Sequence, residues 1–275
     1  MFIQNNCFIQ GLHVLVSAKY LNTITNHRES TVVFAVIATL ICWVFSLSRT
    51  FNVLCRLGIF SAFFTFISVL LATIFIGIEA HPFGYQPETD YVGPTTGHQE
   101  AKGNPIVTAM PVAGTTFVAG MDAFLNISYT FIGQITLPSF IAEMRNPKDF
   151  PKALWALTIC EVILFSIVRG VIYGFTGNPY YTVPAFGSLG NEVYKKAPFS
   201  FMIPTLIFLG VLYASVSARF IFFPVFEGKR HKTSHAVVGW ASWAAILGAT
   251  WLLAFIIVSI RIQHFFSKAL PIRLG

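Results

Sequence analysis

The sequence predicts an all-α, multi-pass transmembrane helix bundle, and three observations carry that prediction. Hydrophobic residues make up 55% of the 275 and charged residues only 11%, and the 29 Phe exceed what a soluble core of this size would use; mean hydropathy is +0.68. Apolar stretches of membrane length recur along the chain, separated by loops whose basic residues favour alternate connections. One such stretch, within Met121 to Ala153, is interrupted by helix-breaking and polar residues. Bare backbone at membrane depth is tolerated only where protein or a water-filled cavity satisfies it.

A span needs roughly 20 mainly apolar residues to cross about 30 Å of hydrocarbon. Candidates lie near 32–48, 58–78, 116–142, 153–176, 200–224 and 236–260, and 2–24 is added as a seventh although Gln10, His13 and Lys19 interrupt it. The run starting at Met1 lacks the basic n-region and cleavage site of a secretory signal. Arg49 and Arg56, then Arg145, Lys148 and Lys152, then Lys229, Arg230 and Lys232 occupy alternate loops. That face is expected to be cytoplasmic, because Lys and Arg in short loops stay inside. The opposite connections hold chiefly Arg28, Lys102, Lys195 and Lys196. The longest of them, 79–114, is dense in Pro and Gly and reads as an irregular extracytoplasmic loop within a single transmembrane domain spanning 1–275.

Small residues recur every four positions at Ser166, Gly170 and Gly174 in the fifth span and at Gly210, Ala214 and Ala218 in the sixth. This spacing predicts close helix packing on both. Cys7, Cys42, Cys55 and Cys160 have no paired spacing, so neither a disulfide framework nor a metal site is expected. The net charge of +7 is scattered over short loops, with no basic stripe to engage nucleic acid. The seven His are dispersed, and no phosphate loop, nucleophile elbow or metal spacing organises them, so no enzyme, catalytic residue or cofactor is expected.

Within the broken stretch, Gly133 and Pro138 weaken the helical ladder. Ser128, Tyr129, Thr130, Gly133, Gln134 and Thr136 are the candidate substrate-binding positions, with hydroxyl, amide and open backbone groups that suit a polar substrate. The N-terminal end of the second half would favour a carboxylate, and unwound carbonyls an ammonium group or cation; the alternative is a Pro-kinked helix whose hydroxyls bond to its own turns. Ser215 and Ser217 are candidates for a coupling ion, against a packing role. Asp122, Glu161, Arg169 and Arg219 are the charges within or beside spans. Asp122 and Arg219 lie near span ends, where hydration or snorkelling accounts for them. Glu161 and Arg169 are separated by about 12 Å of rise and roughly 80° of rotation, so they do not pair.

At the break and the loop after it, Leu137-Pro138-Ser139-Phe140 and Met144-Arg145-Asn146-Pro147-Lys148-Asp149-Phe150-Pro151-Lys152-Ala153-Leu154 follow an LPxx…MxNPxxFPxAL pattern. With KYLNTITNHR, ICWVFSLSRTFN, GNEVYKKAPFSFMIPTLIFLGVLYASVSARFIFF and VVGWASWA, the chain resembles the amino acid/auxin permease family, in its fungal neutral and aromatic amino acid permease form, from about Phe8 to Ile257. The resemblance implies a partial LeuT-like, inverted-repeat fold of the APC superfamily, with about seven spans and one broken helix. Asp122 to Met144 would be the family's sixth helix, and Ser215 and Ser217 would lie on its eighth. The family's first broken helix and last two helices have no counterpart here, as in an incomplete gene model, and 258–275 is a non-matching tail. The implied function is secondary active transport, by alternating access, of neutral amino acids, aromatic ones among them. The coupling ion would be a proton, with Na+ as the alternative, and the site the plasma membrane, with the vacuolar membrane as the alternative. The reading from another class is a non-transporting membrane protein, either a nutrient receptor or an inactive truncated permease.

Overall fold

The computed structural model describes residues 2–26, 28–85, 103–111, 115–130, 136–182, 185–227 and 237–269. Its helices are α1 (Phe2–Ile24), α2 (Thr31–Ser46), α3 (Phe51–Ile78), α4 (Phe117–Thr130), α5 (Leu137–Glu143), α6 (Phe150–Tyr180), α7 (Glu192–Val225) and α8 (Val237–Ala269), with 3₁₀ turns at Pro147–Asp149 and Ala185–Ser188. Among the described residues there is no strand. Among the described residues four segments are long and apolar enough to cross a membrane: Asn52–Ile78, Pro147–Asn178, Glu192–Val225 and Val237–Ile257. The described residues are therefore all-helical, with helices of membrane-crossing length and composition. Thr31–Ser46 is a shorter apolar helix, and of the expected 116–142 span the described parts are α4 and α5, with 131–135 outside the described residues.

The NPKDFP motif acts as a helix start. Pro147 opens a 3₁₀ turn and Pro151 sits in the first turn of α6, where a missing N–H removes no helical hydrogen bond. Asp149 holds the corner, accepting from Asn146 Nδ2 at 2.9 Å and from Lys152 Nζ at 3.2 Å.

The chain divides into two compact units, residues 1–65 with 200–275, and residues 66–199. In the first, α1 packs against α2 and α8, and α2 against α8. The small residues of α7 fulfil their expected role. A Cβ added at Gly210 would stand 2.9 Å from Trp251 Cη2 and 3.6 Å from Cys42 Sγ, while Ala214 and Ala218 are fully buried. Trp251 Nε1 donates to Ser46 Oγ at 3.3 Å, and the Thr65 and Thr205 hydroxyls meet at 2.6 Å.

In the second unit Ile76, Ile172 and Leu189 form a small core, flanked by Phe75, Val168, Phe175 and Tyr194. The Glu79 carboxylate accepts the backbone N–H of Gly190 at 2.9 Å and of Asn191 at 2.8 Å. Close packing expected along α6 is not made: Gly170 and Gly174 have no neighbouring atom within 4 Å among the described residues, and Ser166 is exposed. Contact on α6 comes instead from Val168, Ile172 and Phe175 on another face and from its far end. Gly177 has φ 57° and ψ −170°, which kinks the helix, and a Cβ there would fall 2.6 Å from Ile106 O. Only glycine fits that approach.

Candidate functional site

The predicted substrate-binding positions all belong to the α4–α5 region of the second unit. Helix α4 ends at Thr130 and α5 begins at Leu137. Ser128 is half-buried on the last turn of α4. Thr136 is buried, 3% exposed, and precedes α5 with φ −90° and ψ −16°, its side chain making no capping hydrogen bond. Its carbonyl accepts Phe140 N–H at 3.2 Å and starts the helix, while Pro138 occupies the first turn, where proline is pre-organised. Gly133 and Gln134, and the side chains of Tyr129 and Thr130, lie outside the described residues.

Ser215 and Ser217 belong to the other unit and differ from each other. Both are buried. Ser217 Oγ donates to Tyr213 O at 2.9 Å, the back-bonding of a packing serine, whereas Ser215 Oγ has no hydrogen-bond partner among the described residues.

The four span-associated charges also separate. Arg219 does not snorkel: it is 8% exposed, donates Nη2 to Arg49 O at 2.6 Å and lies 5.6 Å from the Phe223 ring. Arg49 in turn stacks on Phe222 at 4.9 Å and Trp240 at 5.3 Å. Burial lowers its pKa below the ordinary arginine value, and the aromatic faces offset part of that desolvation. Arg169 donates Nη1 to Tyr181 Oη at 3.0 Å, so its partner is a phenol and not Glu161. Asp122 is exposed.

The connection read as an irregular loop is anchored along residues 103–111. Asn178 N–H donates to Ile106 O at 2.9 Å, Asn178 Nδ2 to Thr108 Oγ1 at 2.8 Å, and Tyr180 Oη to Gly103 O. Tyr173 Oη accepts from Thr108 N at 3.1 Å and reaches Thr108 O and Asn178 Oδ1 at 3.0 and 2.8 Å, one of which takes its proton. Sequence reading missed this anchor; Gly-Asn at 177–178 was its only local trace.

A groove of about 380 Å³ between α2 and α8 is lined by Val36, Leu40, Trp43, Trp251, Leu252 and Phe255, among others. It offers almost no polar surface, so it is not the candidate site. No group of three or more His, Cys, Asp or Glu able to hold a metal exists among the described residues.

Comparison with known proteins decides the family. The family described as transmembrane amino acid transporter protein matches residues 1–267. The chain belongs to that family. It is 31% identical over 89% of its length to a transmembrane transporter of Gibberella moniliformis, covering 48% of that protein. It is 25% identical over 99% of its length to the N amino acid transport system protein of Neurospora crassa, covering 54%. A transmembrane transporter of Fusarium pseudograminearum is 29% identical over 86% of this chain and 46% of its own. The chain thus spans about half the length of these curated relatives. No solved structure matches it. As a family member with several membrane-length apolar helices, it is an integral, multi-pass membrane protein.

Proposed function

We propose that this amino acid transporter domain contributes to secondary active transport of neutral amino acids, aromatic ones among them, across the plasma membrane by alternating access coupled to protons. The observation that carries the reading is the family match over 1–267; the amino acid transport named for the Neurospora relative supports it. The fold is LeuT-like with about seven spans, α1, α2 and α4–α5 completing the four apolar helices. Loop 79–114 faces outward, and the chain forms one domain.

Substrate binds at the interruption between α4 and α5, through Ser128, Tyr129, Thr130, Gly133, Gln134 and Thr136. Buried Thr136 before α5 and half-buried Ser128 on the last turn of α4 support that assignment. Ser215, whose hydroxyl is not committed to its own helix, is the better of the two coupling-ion positions; it would matter most if Na+ replaces the proton.

Uptake of radiolabelled phenylalanine and glutamine by permease-deficient cells expressing the gene tests this reading. Saturable uptake that collapses with a protonophore is expected, and Thr136→Val is expected to lower apparent affinity about tenfold by removing one hydroxyl contact of about 1.4 kcal/mol. Correct membrane targeting with substrate binding but no uptake would replace it by the receptor reading.

A further inference from the structure

Helix α1 carries Asn6, Gln10, His13 and Ser17, four polar residues that fall within about 60° of one another at 100° per residue. They form one stripe. Asn6 and Gln10 are 0% exposed and Ser17 is 4% exposed, so this chain's own helices already enclose them. Yet both amide atoms of Asn6, both of Gln10, His13 Nδ1 and Ser17 Oγ have no hydrogen-bond partner among the described residues.

The neighbouring elements explain why. Helix α7 presents rings to this side of α1, Phe220 against Phe2 at 4.8 Å between centroids and Tyr213 against His13 at 6.2 Å. Ser217 on the same helix is spent on its own backbone. Native interiors contain few buried polar atoms without partners, because each one left bare is destabilising. Six in a single stripe would be an improbable dry contact.

We infer that the Asn6–Gln10–His13–Ser17 stripe is an internal hydration site, binding a short file of water molecules along the inner face of α1. The chemistry selects water over an ion or a larger ligand. Carboxamide, imidazole and hydroxyl groups alternate donors with acceptors, as a water making about three hydrogen bonds requires. No Asp, Glu, Lys or Arg belongs to the stripe to balance an ion. Helix α1 is thereby wet on one face and dry on the next, where Val14 and Ala18 are buried at 1% and 0% exposure. This holds whatever the α4–α5 segment binds.

Radiolytic hydroxyl-radical labelling tests it in the membrane-embedded chain, with the four native cysteines replaced by alanine. The radicals form from water already inside the protein and oxidise the side chains beside it, so no reagent has to enter the enclosed seam. Gln10→Cys and Ser17→Cys are expected to oxidise at least about tenfold faster than Val14→Cys and Ala18→Cys, since only the first pair lies against bound water. Ser17→Cys exchanges oxygen for sulfur alone and keeps the test open where larger changes disturb folding. Equally slow oxidation at all four positions would show a dry seam and overturn the inference. Equally fast oxidation would overturn it too, because the helix contact would then be wet as a whole.

Discussion

Helix α7 carries Gly210, Ala214 and Ala218, and α6 carries Ser166, Gly170 and Gly174, in each case one small residue every four. On α7 the stripe is filled: Trp251 and Cys42 close over Gly210, and both alanines are buried. On α6 no described residue approaches Gly170 or Gly174, and the helix is held instead through Ile172 in the core and at its kink, where Ile106 lies against Gly177. The burial follows, with 56% of the most apolar window of α7 buried against 6% for α6. A small-residue period thus marks where a helix can be approached closely; the partner has to be found elsewhere. The contrast yields substitutions whose effects should differ by helix and by position.

The largest effect is expected at the α6 kink. Gly177→Ala must place a Cβ within 2.6 Å of Ile106 O while keeping φ at 57° and ψ at −170°, backbone that is essentially reserved for glycine. A loss of about 3 kcal/mol is expected from the strain alone. It should appear as a lower thermal midpoint in detergent and as faster proteolysis within 103–111, the segment that Gly177 receives. An unchanged midpoint would show that the loop does not rest on the kink.

Next comes Gly210→Leu on α7. The Cβ alone meets Trp251 at 2.9 Å, and an indole that already donates to Ser46 cannot retreat without losing that bond. Overpacking of this kind costs about 2 kcal/mol. Tyr173→Phe follows at about 1 kcal/mol, because one hydroxyl serves Thr108 and Asn178 together. Its readout is again cleavage within 103–111, with α7 contacts untouched.

Long apolar runs made α3, α6, α7 and α8 legible in the sequence, since hydropathy over some 20 residues needs no knowledge of partners. Their limits were less so. Helix α3 starts at Phe51 and not near 58, because Arg56 interrupts hydropathy without interrupting helix, and α6 reaches Tyr180 across a glycine kink that a hydropathy window does not register. At the candidate site, Pro138 stands where the sequence suggested, in the first turn of α5, while Gly133 lies outside the described residues. What local patterns could not supply were tertiary facts: the carbonyl of Arg49 that takes Arg219 inward, the Tyr181 hydroxyl that meets Arg169, and the enclosure that turns Gln10 from an interruption of an apolar run into part of a stripe with buried Asn6 and Ser17.

The smallest effect sharpens the comparison most. Gly170→Leu adds a large side chain to the same kind of stripe that Gly210 occupies, yet nothing in the described chain lies within 4 Å of its Cβ. On a surface without such a neighbour, the expected change in stability is within about 0.5 kcal/mol, and leucine is a better helix former than glycine by a similar margin. The isolated chain in detergent should therefore tolerate Gly170→Leu and resist Gly210→Leu. A thermal midpoint lowered as far by the first as by the second would mean that α6 also has a close partner, and the two helices would then use their small residues alike.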